Sequence, residues 1–204
     1  MIENKLTKRH EHINGETVSY VINSALSLGL RSEIIRLQLQ LIANFPAVVW
    51  LIPEGSLHIT LMDWLAPFTN YNESPDNLYL KIKDEYIVTL KLILENKNKL
   101  NIHFNEIKVS ATTVFIQASL DEELNQIRSA FLEKIALIPG TKPPANITHI
   151  SIARFAGEYD LKILADFVER LTIDYKEVIN EWRLVRETKL PMLEYKVIEN
   201  FQLK

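Results

Sequence analysis

Two segments of this chain repeat one another, and the repeat limits the fold more than anything else in the sequence. Pro53–Trp64 reads PEGSLHITLMDW and Pro144–Phe155 reads PANITHISIARF. In each, a proline stands five residues before a histidine. The histidine continues as His-Ile-(Thr/Ser)-(Leu/Ile), and an aromatic lies six residues beyond it. At this composition an apolar-(Ser/Thr)-apolar triplet follows a given histidine by chance in roughly 2% of cases. Two matches among five histidines are therefore more than composition. A pattern that recurs within one chain implies two structurally equivalent half-units.

Both copies read as β-strands that follow a turn. Side chains at i and i+2 of a strand share a face, about 6.5–7 Å apart. His58 and Thr60 thus share one face, with Leu57, Ile59 and Leu61 on the other. His149 and Ser151 do the same, with Ile150 and Ile152 behind them. Simple alternation puts Arg154 on the face opposite His149. If the half-units meet across a pseudo-twofold axis, two imidazoles and two hydroxyls converge. A tetrahedral phosphate between them meets a hydroxyl donor on either side and a proton-transfer group at each end. Histidine suits both proton-transfer roles because its unperturbed pKa lies near 6.5. The near-symmetry does not say which histidine is acid and which is base.

The remaining elements alternate strand pairs with amphipathic helices, which predicts an α+β fold. Thr17–Ile22, Val48–Ile52, Leu57–Trp64, Ile102–Val109, Thr113–Ala118 and Ile147–Phe155 read as strands. Val178–Glu187 and Met192–Leu203 read as two more, joined near Pro191. One helix is expected from an N-cap at Ser32 to about Asn44, and another after Ser74-Pro75. A third starts from the Ser119/Glu122 capping box, with Leu120, Leu124, Ile127, Phe131 and Ile135 as its apolar stripe. A fourth opens at Asp160. Residues 1–15 read as a loosely held lead-in. The 204 residues are expected to form a single domain (1–204) of two intimate lobes.

LHITL at 57–61 and THISIARF at 148–155 resemble the paired H-x-T/S motifs of the 2H phosphoesterase superfamily. That group includes bacterial RNA 2′,3′-cyclic phosphodiesterases once called 2′-5′ RNA ligases. The 91-residue separation of the histidines suits the family, and the element order covers essentially the whole chain. The resemblance implies a two-lobed fold with pseudo-twofold symmetry, antiparallel sheets lining a central cleft and helices outside. It also implies metal-independent phosphodiester chemistry without a cofactor. His58 and His149 match the catalytic pair, and Thr60 and Ser151 match the phosphate-holding hydroxyls. Arg154 matches a basic residue often seen after the second motif. The expected substrate carries a 2′,3′-cyclic phosphate or a 2′-5′ or 3′-5′ linkage in a nucleotide or short oligonucleotide. The same site would suit cleavage of cyclic or 2′-5′-linked signalling oligonucleotides, or binding of RNA or nucleotide ends without catalysis.

Other signals carry less. Trp64 and Phe155 are aromatics on which a base could stack, although core packing accounts for them too. His103 lies in a strand without a following hydroxyl and is a weaker candidate for ligand contact. His10 and His12 fall in the polar lead-in. No H-E-x-x-H spacing is present, and no metal site is expected. The absence of cysteine excludes disulfides and a thiolate nucleophile and suits a reducing compartment. A net charge of −3 argues against long duplex nucleic acid as a partner. The polar N-terminus and the lack of a long apolar run predict a cytoplasmic protein with no membrane association. A monomer is expected.

Overall fold

The computed structural model describes residues 6–10, 13–119 and 122–204. Two antiparallel sheets form its frame. The first has the order β3–β1–β8–β9, from His58–Leu65, Glu16–Ala25, Glu181–Lys189 and Glu194–Gln202. The second has the order β2–β6–β5–β4–β7, from Val49–Leu51, His149–Phe155, Thr113–Ala118, Leu100–Val109 and Tyr175–Ile179. The helices are α1 (Leu28–Asn44), α2 (Pro75–Leu94), α3 (Glu122–Lys134) and α4 (Leu161–Val168). This is the α+β architecture that the order of elements predicts.

Each lobe is covered by helices, and two of these arrive from the other lobe. Helix α1 leaves β1 of the first sheet and packs on β2 and β6 of the second. Helix α3 leaves β5 of the second sheet and packs on β3 of the first. Helix α2 covers β1 and β9, and α4 covers β4. Leu30, Ile34, Leu37 and Leu41 give α1 a fully buried stripe. Burial of each such side chain contributes about 1.5–3 kcal/mol.

Several boundaries differ from the sequence reading. Helix α1 begins at Leu28, because Ser27 rather than Ser32 caps it: Leu30 N–H donates to Ser27 Oγ at 3.2 Å. Within it, Leu37 and Leu41 are buried one turn apart while Leu39 is 61% exposed. The expected strand Val178–Glu187 is two strands in different sheets, broken at Asn180, where the chain crosses between lobes. The Asn180 carbonyl accepts from Leu203 N–H instead of a ladder partner. Residues 6–10 of the lead-in are pinned to the second lobe. Thr7 is fully buried, its Oγ1 donates to the Gly157 carbonyl, and His10 N–H donates to the Phe155 carbonyl. Leu120, placed on the α3 stripe from sequence, lies outside the described residues.

Candidate active site

The two motif strands are built alike, down to a shared irregularity. Along β3 the pairing with β1 runs Asn23↔Thr60 and then Ile22↔Met62, which leaves Leu61 as an extra residue. Along β6 the pairing with β5 runs Phe115↔Ser151 and then Val114↔Ala153, which leaves Ile152 as the extra residue. Each strand thus carries a β-bulge three residues after its histidine. A bulge shifts the facing of everything beyond it by one residue. His58, Thr60 and Asp63 therefore share a face, and so do His149, Ser151 and Arg154. Burial follows the same rhythm: Ile59, Leu61, Met62 and Trp64 are buried, as are Ile150, Ile152, Ala153 and Phe155. Strict alternation puts Arg154 on the wrong side, and the bulge is the reason it reaches the cleft.

At each bulge a buried polar side chain on a helix donates to the carbonyl of the extra residue. Gln38 of α1 donates through Nε2 to the Ile152 carbonyl at 2.8 Å and to the Ile52 carbonyl at 2.7 Å. Arg128 of α3 does the same for β3, donating to the carbonyls of Leu61 and Thr60. The swapped helices thus hold the strands that carry the histidines.

Strands β3 and β6 approach within 8 Å between Cα atoms. His58, Thr60, His149, Ser151, Arg154 and Pro191 line one cavity of about 180 Å³ between them. Thr60 and His149 also form the end of a larger pocket of about 590 Å³ that runs along β3. The two imidazole–hydroxyl couples, remote in the sequence, therefore face one hollow.

The two histidines differ in setting. His58 Nδ1 lies 2.7 Å from the Ser56 carbonyl. A carbonyl only accepts, so Nδ1 carries the proton and Nε2 keeps its lone pair. Burial lowers the His58 pKa to about 4. The bond to Ser56 opposes the shift, while the charges of Arg183, His149 and Arg154 reinforce it. His149 is more exposed, and the Phe115 ring stands edge-on to it with centroids 5.5 Å apart. Its pKa is also lowered, first by loss of water around the ring and then by the Arg128 guanidinium.

A ring of charge surrounds the pair. Burial lowers the Arg154 pKa to about 10, and Glu187 partly offsets this. Glu187 is itself buried; it accepts from Ser19 Oγ at 2.8 Å and from Met192 N–H, and burial raises its pKa. Arg183 donates to Asn23 Oδ1 at 2.9 and 3.2 Å. Asp63 has its pKa raised to about 6, by burial first and by the Glu187 charge second. Sequence reasoning misses Asp63, Arg128, Arg183 and Glu187. For Asp63 a signal exists, since it occupies the repeat position of Arg154.

The other sequence candidates stand elsewhere. Trp64 and Phe155 are fully buried. Trp64 stacks on Phe131 and meets Tyr86 edge-on. His103 pairs with Asp174 on the surface of the second lobe. Among the described residues no group of three or more His, Cys, Asp or Glu is placed to hold a metal ion. No described helix is long and apolar enough to cross a membrane.

No family model matches the chain, and no curated protein matches it in sequence. Solved structures do. TT0787 of Thermus thermophilus superposes with a TM-score of 0.65 at 17% identity, over 91% of this chain and 97% of that one. E. coli LigT complexed with ATP gives 0.56 at 14% identity, over 93% and 99%. The MHV ns2 PDE domain gives 0.52 at 13% identity, over 83% and 99%. LigT has also been crystallised with 3′-AMP, NADP+ and phosphate. With two bulged H-x-(T/S) strands facing across a cleft and these structural likenesses along most of its length, the chain has the 2H phosphoesterase fold.

Proposed function

We propose that the protein is a metal-independent phosphoesterase that hydrolyses a 2′,3′-cyclic phosphate, or a 2′-5′ or 3′-5′ linkage, in a nucleotide or short oligonucleotide. The observation that carries this reading is the convergence of His58, Thr60, His149, Ser151 and Arg154 on one cavity of phosphoryl size. The nucleotides and phosphate held by LigT agree with it.

The difference between the two settings supports a division of roles. His58, kept neutral with Nε2 bare, takes a proton from water as the water oxygen attacks phosphorus. His149, protonated when the phosphodiester anion lies beside it, gives its proton to the departing ribose oxygen. One P–O bond forms to water and one breaks to ribose. The products are a phosphate monoester and a ribose hydroxyl, and the proton returns from His58 to His149 through solvent. Thr60 and Ser151 donate hydrogen bonds to the non-bridging oxygens, where charge develops. Arg154 balances the anion from the second lobe.

The test is turnover of a nucleoside 2′,3′-cyclic phosphate by the purified protein in EDTA. The reading expects hydrolysis that both His58→Ala and His149→Ala abolish. Full activity in either single variant would overturn it.

A further inference from the structure

Among the cleft-facing positions of the two motif strands, one differs in charge. Asp63 on β3 and Arg154 on β6 each lie five residues after their histidine, and each is turned to the cleft by its bulge. One half therefore offers a guanidinium and the other a carboxyl. An anion is drawn toward Arg154. On the Asp63 side a second phosphate is repelled and N–H donors are favoured.

Asp63 looks into the larger pocket, about 590 Å³, which begins at Thr60 and His149. Along β3 it stands about 7–10 Å from Thr60, which matches the reach from a nucleotide's phosphate to the edge of its base. Phe68 lines the same pocket. Lys142 and the Pro143–Pro144 segment form the opposite wall. That wall is braced: Tyr71 Oη lies 2.7 Å from Thr141 Oγ1 and accepts from Ala66 N–H. Gly140, at φ +99°, lets the chain pass Thr69, where a Cβ would come within 2.8 Å of its methyl. Among the described residues, nothing donates a hydrogen bond to Asp63, and the one charge acting on it belongs to another acid, Glu187.

We infer that this pocket takes the base of the substrate nucleotide and that the Asp63 carboxylate selects guanine. The inference rests on the reading that the phosphate lies between the histidines. An ionised carboxylate only accepts hydrogen bonds, through two oxygens side by side. Guanine alone presents two adjacent donors on its pairing edge, N1–H and N2–H. Adenine and cytosine present one amino group beside a ring lone pair that the carboxylate repels. Uracil presents one N–H between two carbonyls. Two-point pairing of this kind discriminates by about 5- to 100-fold.

Calorimetric titration of the four 3′-nucleoside monophosphates at pH 8 tests this, because a carboxyl with a pKa of about 6 is ionised there. Guanosine monophosphate is expected to bind at least ten-fold more tightly than the other three. In Asp63→Asn one acceptor becomes a donor, and the guanine preference is expected to fall to about two-fold or less. Equal affinities for all four nucleotides in the unaltered protein would overturn the inference and leave the phosphoesterase reading standing. So would a guanine preference that survives Asp63→Asn. Failure of every nucleotide and of inorganic phosphate to bind would remove both.

Discussion

Arg128 donates through Nε to the carbonyl of Leu61 at 2.9 Å, and Leu61 is the residue that makes the β3 bulge. The same guanidinium reaches the Thr60 carbonyl at 3.1 Å and, through Nη1, the Ala145 carbonyl at 3.1 Å. One side chain on α3 therefore ties the strand of the first histidine to the segment that leads into the strand of the second. Removing it strands several buried carbonyls, each worth about 1–3 kcal/mol when left without a donor. Arg128→Ala is expected to lower stability by about 3 kcal/mol, read as a reduced urea midpoint, and to lower turnover as well. Gln38→Leu, which removes the side-chain donor to the buried carbonyls of Ile52 and Ile152, is expected to do the same on a smaller scale.

On the proposed mechanism the histidines act as a unit. His58→Ala and His149→Ala are each expected to lower turnover of a 2′,3′-cyclic nucleotide by about 10²- to 10⁴-fold. The double variant should be little worse than either single one, because half of an acid–base relay retains little value. EDTA should leave the unaltered enzyme at full rate. A loss that zinc or magnesium restores would contradict the mechanism.

The hydroxyls should reveal themselves in kcat. On the proposed mechanism, Thr60→Val and Ser151→Ala each remove one donor to the oxygens that gain charge in the transition state. Each is expected to lower kcat by about 100-fold while changing KM much less. A rise in KM at constant kcat would assign them to ground-state binding alone.

The pH profile should be displaced to the acid side. On the proposed mechanism His58 must be neutral, and its pKa of about 4 lets it remain so well below pH 6. His149 must be protonated, and its pKa lies below the ordinary 6.5. The kcat/KM profile should therefore be bell-shaped, with an acid limb near pH 4 and an alkaline limb below 6.5. An acid limb at pH 6.5 or above would exclude His58 as the base.

Asp63 should cost the fold stability at neutral pH. Its folded pKa of about 6 exceeds its ordinary 3.8, so the folded chain binds this proton more tightly than the unfolded chain. The associated stability is fully present below pH 3.8 and is lost as pH rises through 6. Asp63→Asn is thus expected to be more stable than the unaltered protein at pH 8, by on the order of 2 kcal/mol, with no gain at pH 3.5. Paired denaturation curves at the two pH values check both the sign and the window.

What the sequence discloses and what it hides divide along physical lines. The His-Ile-(Thr/Ser) repeat is legible because strand pleat converts i and i+2 into one face without help from the rest of the fold. The stripe of α3 is legible because apolar period reports burial directly: Leu124, Ile127 and Phe131 are all buried. The bulges at Leu61 and Ile152 are not legible: the side chains that donate to their carbonyls, Arg128 and Gln38, lie on helices distant in the chain. Arg154 therefore falls on the wrong face in a sequence reading, and Asp63 passes unnoticed as a polar residue in a strand. The break at Asn180 is hidden for a related reason. Val178–Glu187 has strand composition throughout, and only the presence of two sheets divides it. Trp64 and Phe155 show the opposite limit, since an aromatic beside a motif reads the same whether it meets a ligand or the core.

Strand β2 is borrowed. It is laid down just before the first motif, yet it forms the edge of the sheet that holds the second, in register with Phe155, Arg154 and Ala153. Only Ile52–Leu57 then separates that edge from β3, six residues that include a single 3-10 turn at Glu54–Ser56. A short, proline-containing rung of main chain thus links the edge of one sheet to the strand of the first histidine in the other. That tether sets an upper limit on how far the two motif strands can part, whatever enters between them.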